Sequence, residues 1–150
     1  MICLMKANQL IRCVVQYSLS LPYFSSQVSA GFPSPADDYV EQDLDLNQFL
    51  VEHPSSTYFV RVQGHSMTGA GIQDQDILVI DRSITPKHGS IVVALVSGEL
   101  TVKRLCYEQD VIWLRPESPD YPSICIKKDD DFQIWGVVTS VVRRFTKTGF

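Results

Sequence analysis

Two residues of this chain are of the right types to break an acyl bond. Ser66 stands in Gly64-His65-Ser66-Met67-Thr68-Gly69-Ala70-Gly71, and Lys103 in Glu99-Leu100-Thr101-Val102-Lys103-Arg104-Leu105. A serine hydroxyl is a weak nucleophile until a base takes its proton and nearby donors steady the oxyanion. A lysine amine can be that base if its pKa is brought from about 10.4 toward about 7 to 8, which desolvation in an apolar pocket achieves. Ser-Lys pairs are an attested variant of the triad logic. His65 is a poor substitute, because neighbours on an extended chain point opposite ways. The ordinary alternatives are a turn serine in a glycine-rich loop and a strand lysine facing solvent.

The elements around these residues decide whether they can meet. From Thr57 onward the chain is rich in branched and aromatic residues, and strands are expected over 57–63, 76–81, 90–96, 99–105, 111–114, 123–126 and 133–145. Gly64 permits a sharp turn after the first of them, exposing the Ser66 hydroxyl and backbone N–H together, and Gly69 and Gly71 leave room for another backbone. Ser97-Gly98 reads as a two-residue hairpin loop. Alternation along 99–105 sends Leu100 and Val102 to one face and Thr101 and Lys103 to the other, so Lys103 is aimed away from its apolar neighbours.

The first part of the chain is of another kind. Residues 1–30 hold a mildly amphipathic piece, Asn8 to Tyr17, and then the broken tract SLSLPYFSSQVSA with Pro22 inside it. They read as an arm with a sparse apolar face that includes Leu10, Val14 and Val15. Residues 31–56 read as an extended linker opening on Gly-Phe-Pro-Ser-Pro, with a short helix capped by Asp45 and running through Leu46, Phe49 and Leu50 before Pro54. Residues 57–150 form the β domain.

Composition narrows the functions open to such a chain. It has 150 residues and a net charge of −4, with all 17 acids and all but two of the 13 bases outside residues 1–30. An acidic body disfavours direct binding to nucleic acid through phosphates and favours protein partners. Arg143-Arg144 reads as a solvated strand terminus. Cys3, Cys13, Cys106 and Cys125 form no CxxC pair, and with His53, His65 and His88 scattered in loops no metal site or cofactor is expected. No apolar run is long enough to span a bilayer, and a reducing cytoplasm suits the cysteines.

The string GHSM, followed by the lysine of GELTVKRL, resembles the Ser-Lys self-cleaving proteins of the LexA and UmuD group, the S24 peptidases. Residues 30–50, AGFPSPADDYVEQDLDLNQFL, resemble the segment after the cleavage point of UmuD-type proteins, chromosomal or plasmid-borne, and the resemblance extends over about residues 30 to 145. It implies a mostly β, twisted LexA/signal-peptidase-like domain behind a flexible arm, with Ser66 as nucleophile, Lys103 as general base and Ala30-Gly31 as the bond cut. It further implies a homodimer, cleavage stimulated by the RecA-single-stranded DNA filament, and a shortened product that joins an UmuC-like Y-family translesion polymerase. His65 and Gln75 depart from the acid and the glycine that the family often has there.

Three other readings compete. Val28-Ser29-Ala30 has the form of a signal-peptidase site for an exported β domain, but Gln16, Ser18, Ser20 and Pro22 interrupt the apolar region it would need. A repressor of the LexA kind needs a helix-turn-helix that 30 residues containing Pro22 do not supply. A non-catalytic polymerase-binding module would leave Ser66 and Lys103 without a purpose.

Overall fold

The branched runs of the second half become strands of one antiparallel sheet. The computed structural model describes residues 11–12, 18–24, 30–31 and 40–146. In chain order the strands are β1 (Ile11–Arg12), β2 (Ser20–Phe24), β3 (Val40–Asp45), β4 (Thr57–Arg61), β5 (Ile77–Asp81), β6 (Ile91–Val96), β7 (Glu99–Glu108), β8 (Val111–Arg115), β9 (Ile124–Ile126) and β10 (Phe132–Val142). The protein is mostly β, as its composition of branched and aromatic residues requires. The expected strand over 99–105 runs on to Glu108, because β8 pairs with it as far as Glu108↔Val111.

The chain divides into two compact units, residues 1–13 with 53–150, and residues 14–52. In the first, eight strands pair in the order β1-β4-β5-β10-β6-β7-β8-β9. The β6–β7 hairpin turns at Ser97 and Gly98, whose φ values of +51° and +80° are those of the turn that matches strand twist. β10 pairs with β6 through its first half and with β5 through its second, and its register shifts against each neighbour. Gly136 lies at the shift against β6, where a Cβ would come within 2.5 Å of Ile80 Cγ2. A side chain there would force the strands apart.

Alternation sorts the apolar residues onto both faces of this sheet. Val60, Leu78, Ile80, Val93, Leu100 and Val102 build one buried cluster, and Val92, Ala94, Leu105, Leu114 and Val137 another. A sheet with apolar residues on both faces gives its long central strand no wet side, and β7 is buried from Leu100 to Lys103.

In the second unit β2 pairs antiparallel with β3, so that Pro22 stands opposite Asp43. A five-residue helix, α1 (Leu46–Leu50), follows at once, with the Asp45 side chain accepting from Asn47 N at 2.9 Å. Ser18 Oγ donates to the other oxygen of Asp45 at 2.5 Å and is the main reason that carboxyl sits below its ordinary range. The apolar face that includes Leu10, Val14 and Val15, the cysteines Cys3 and Cys13, the residues Val28-Ser29 and the linker over 32–39 lie outside the described residues. Among the described residues no helix is long and apolar enough to cross a membrane.

Candidate active site

The chain between β4 and β5 carries the serine, and several independent ties hold it. Its base is closed by two backbone bonds, Val62 N to Asp76 O at 2.8 Å and Gln75 N to Val62 O at 2.9 Å. Gly64 turns with φ +98° and donates its N–H to Asp74 Oδ1 at 2.6 Å. That bond, followed by one from the Gln75 amide, holds the Asp74 carboxyl below its ordinary range. A methionine follows the serine for a packing reason. Met67 is buried in the first cluster beside Ile72, so the residue next to Ser66 is fixed by the core.

A strand-like contact fixes the other side of the loop. Glu117 N donates to Ser66 O at 2.8 Å and Gly69 N donates to Glu117 O at 2.7 Å. A Cβ on Gly69 would lie 2.6 Å from Glu117 O, so this approach admits only glycine. The room for another backbone expected at Gly69 is filled by Glu117. Gly71 instead supplies a left-handed φ of +80° after the turn Thr68–Ala70.

Lys103 comes from β7, which reaches the serine from across the sheet. Its Nζ donates to Ser66 Oγ at 3.1 Å, to Thr101 Oγ1 at 2.9 Å and to Val102 O at 3.0 Å. Ser66 is 3% exposed and Lys103 2%. Thr101 shares the face of Lys103 at a spacing of two, and across the hairpin they lie opposite Ala94 and Val92. The second face of β7 is therefore as dry as the first. Arg104, next along, pairs through Nε with Glu117 and donates from Nη1 to Gly89 O at 2.6 Å. One strand thus carries the amine and helps to hold the segment that grips the serine.

Arg143 is exposed just past the end of β10, and its guanidinium also reaches inward to a buried carboxylate. Its Nε donates to Asp76 Oδ1 and its Nη2 to Asp76 Oδ2, both at 2.6 Å, and Nη2 also reaches Gly71 O at 2.8 Å. The Asp76 side chain is almost wholly buried, and the Arg143 bonds are the main cause that its carboxyl lies below the ordinary range. Nothing in the sequence links these residues, because the pairing joins the end of the last strand to the foot of the serine loop. The role of Glu117 is equally hidden, since it acts through backbone atoms.

His53 is half-exposed in a loop and pairs through Nδ1 with Asp81 Oδ2 at 2.6 Å. Asp81 also accepts from Ser56 and Ser83, and these bonds together outweigh its burial and keep its carboxyl low. This cluster ties residues 53–57 to the end of β5. Ala30 and Gly31 lie at an exposed bend in the second unit, while Ser66 and Lys103 belong to the first. Among the described residues no group of His, Cys, Asp and Glu is set to hold a metal ion.

Residues 22–139 match the Peptidase S24-like family. Protein MucA of Salmonella typhimurium is 50% identical over 121 residues, which span 80% of this chain and 82% of that protein. Protein ImpA of the same organism is 46% identical over 82% of this chain and 83% of its own length. The LexA repressor of Paracidovorax citrulli is 35% identical over 85% of this chain, but the match takes in 60% of that longer protein.

Proposed function

The chain belongs to the Peptidase S24-like family, and from that premise we propose that it cuts its own Ala30-Gly31 bond, with Ser66 as nucleophile and Lys103 as general base. The observation that carries this reading is the 3.1 Å approach of two buried groups, Nζ from β7 and Oγ from the loop between β4 and β5. Burial disfavours an ammonium and so favours the neutral amine that a base must be. With its two N–H bonds given to Thr101 Oγ1 and Val102 O, the lone pair of that amine is left for the hydroxyl proton.

The steps balance with water as the only co-reactant. Oγ attacks the carbonyl carbon of Ala30 while its proton passes to Lys103, and backbone N–H donors near Ser66 are assigned to steady the forming oxyanion. Lys103 returns the proton to the nitrogen of Gly31 as that bond breaks, leaving an ester on Ser66. Water, giving its proton to the same amine, then frees the serine and the new carboxylate of Ala30.

The arm of residues 1–30 leaves, and residues 31–150, a linker to residue 56 and the β domain beyond it, remain. The similarity to MucA and ImpA supports a place in SOS mutagenesis in the cytoplasm: a homodimer whose cut is stimulated by the RecA filament and whose product serves a Y-family polymerase. Incubating the purified full chain at alkaline pH and weighing the fragments tests the chemistry. Two fragments that divide between Ala30 and Gly31, absent from Ser66→Ala, support it, and an uncut chain or another division overturns it.

A further inference from the structure

Two arginines stand opposite one another in the β7–β8 ladder, Arg104 against Arg115. Like charges in that position repel, and each arginine has its own carboxylate. Arg115 Nη2 meets Glu108 at 2.8 Å, which ties the hairpin to itself. Arg104 Nε meets Glu117, which ties β7 to the segment that holds the serine loop.

The second pair is fixed at both of its ends. Arg104 Nη1 donates to Gly89 O at 2.6 Å while Nε meets the carboxylate, a use of the planar fork that an ammonium cannot reproduce. Glu117 in turn donates its N–H to Ser66 O and accepts at its own carbonyl from Gly69 N. Lys103 is the residue before Arg104. A ring of links therefore runs from the Ser66 backbone through Glu117, Arg104 and Lys103 to Nζ, and the 3.1 Å bond from Nζ to Oγ closes it. Met67 and Val102 share a buried cluster, so apolar packing also presses the loop and the strand together. Such packing has no preferred direction, whereas the ring fixes where along β7 the serine stands.

We infer that Arg104 and Glu117 are positioning residues, whose ion pair holds the serine loop at the point along β7 where Oγ meets Nζ. The inference rests on the self-cleavage proposed above. The two side chains are 33% and 30% exposed, so the pair adds little to stability. A shift of about 1 Å between reacting groups, in contrast, costs about a hundredfold in rate. Rate and stability are therefore expected to separate.

Self-cleavage of the full chain from pH 6 to pH 10, with thermal unfolding in parallel, tests this. Arg104→Met and Glu117→Gln are each expected to slow the cut by about tenfold to a hundredfold at every pH, with the midpoint of the pH profile and the melting temperature close to those of the wild type. The double variant is expected to be no slower than the slower single one, because the two act as a unit. Arg115→Met, which breaks the neighbouring pair, is expected to cut at the wild-type rate. Glu117→Gln keeps the backbone bonds and the shape of the side chain, and it carries the test if Arg104→Met does not fold. Wild-type rates in both single variants, or losses that multiply in the double, overturn the inference. A shifted midpoint assigns the pair to the charge of the amine and overturns positioning, and a rate that falls only with melting temperature does the same. Hydrogen exchange in the uncut Ser66→Ala background reads the geometry without the reaction. There Glu117→Gln is expected to lower the protection of the Gly69 and Glu117 amides and spare the β6–β7 ladder, and unchanged protection overturns the inference. A wild-type chain that fails to cut itself overturns the proposed function, and the exchange result then decides whether the ion pair holds the loop.

Discussion

Arg143 and Asp76, far apart in sequence, form a two-pronged ion pair at the foot of the loop that carries Ser66, with 2.6 Å bonds to both carboxylate oxygens. Arg143→Met is expected to destabilise the protein by about 2 kcal/mol, the cost of leaving a buried carboxylate without its charged donor. It is also expected to slow self-cleavage, since the same guanidinium holds Gly71 O. Urea unfolding and the cleavage rate at one pH measure the two effects.

The same pair sets a pH dependence. The Asp76 carboxyl titrates below its unfolded value of 3.8, chiefly because Arg143 donates to it. The folded state therefore binds fewer protons than the unfolded one, so the stabilisation is complete above the unfolded value and drains away as pH falls through the lowered folded value. Asp81 acts in the same direction. Unfolding free energy is expected to fall on acidification below about pH 5, and the part due to Asp76 is expected to be missing from the acid limb of Arg143→Met.

Ser66→Ala and Lys103→Ala are each expected to abolish self-cleavage and keep the strand signature in circular dichroism. Lys103→Arg is expected to be as inactive as Lys103→Ala, because a guanidinium stays protonated. In the wild type the unstimulated rate is expected to climb from about pH 6 toward about pH 10 as the amine loses its proton. Retained cutting in any of the three variants, or a flat profile, counts against the dyad.

Replacing Ala30 or Gly31 by Trp is expected to block the cut while leaving the melting temperature unchanged. A Cβ added at Gly31 meets nothing within 4 Å, so the bend itself tolerates a side chain and any loss must arise where the bond is gripped. Mass spectrometry of the incubated variants reads the outcome, and wild-type fragments from both would move the cut elsewhere.

Gln75 adopts φ +70° at the turn before Asp76, in the left-handed region where a side chain is strained. Gln75→Gly is expected to stabilise the fold by up to about 1 kcal/mol, relief of that strain offset by the greater freedom of the unfolded chain. Thermal unfolding checks the sign.

The strands were legible because they are written in local pattern, whereas the pairing of Ser66 with Lys103 was expected from the family resemblance of GHSM and GELTVKRL. Runs of branched residues mark β5 and β6, and alternation along β7 puts Thr101 and Lys103 on one face. Asp45 announces α1 through its capping chemistry. The clamp on the loop was illegible for the opposite reason. Arg143 finds Asp76 only after β10 has paired with β5, and Glu117 grips Ser66 through atoms every residue possesses. The strand at Ile11–Arg12 was hidden too, because an edge is closed by backbone pairing and two residues carry no period.

β10 follows every other described strand in the chain, yet it stands in the middle of the sheet, between β5 and β6. The loop with Ser66 belongs to one side of it and Lys103 to the other. A chain still emerging from the ribosome therefore contains the hydroxyl and the amine well before it contains the strand that joins their two halves. The sheet that sets Ser66 beside Lys103 is therefore incomplete until β10 has been made.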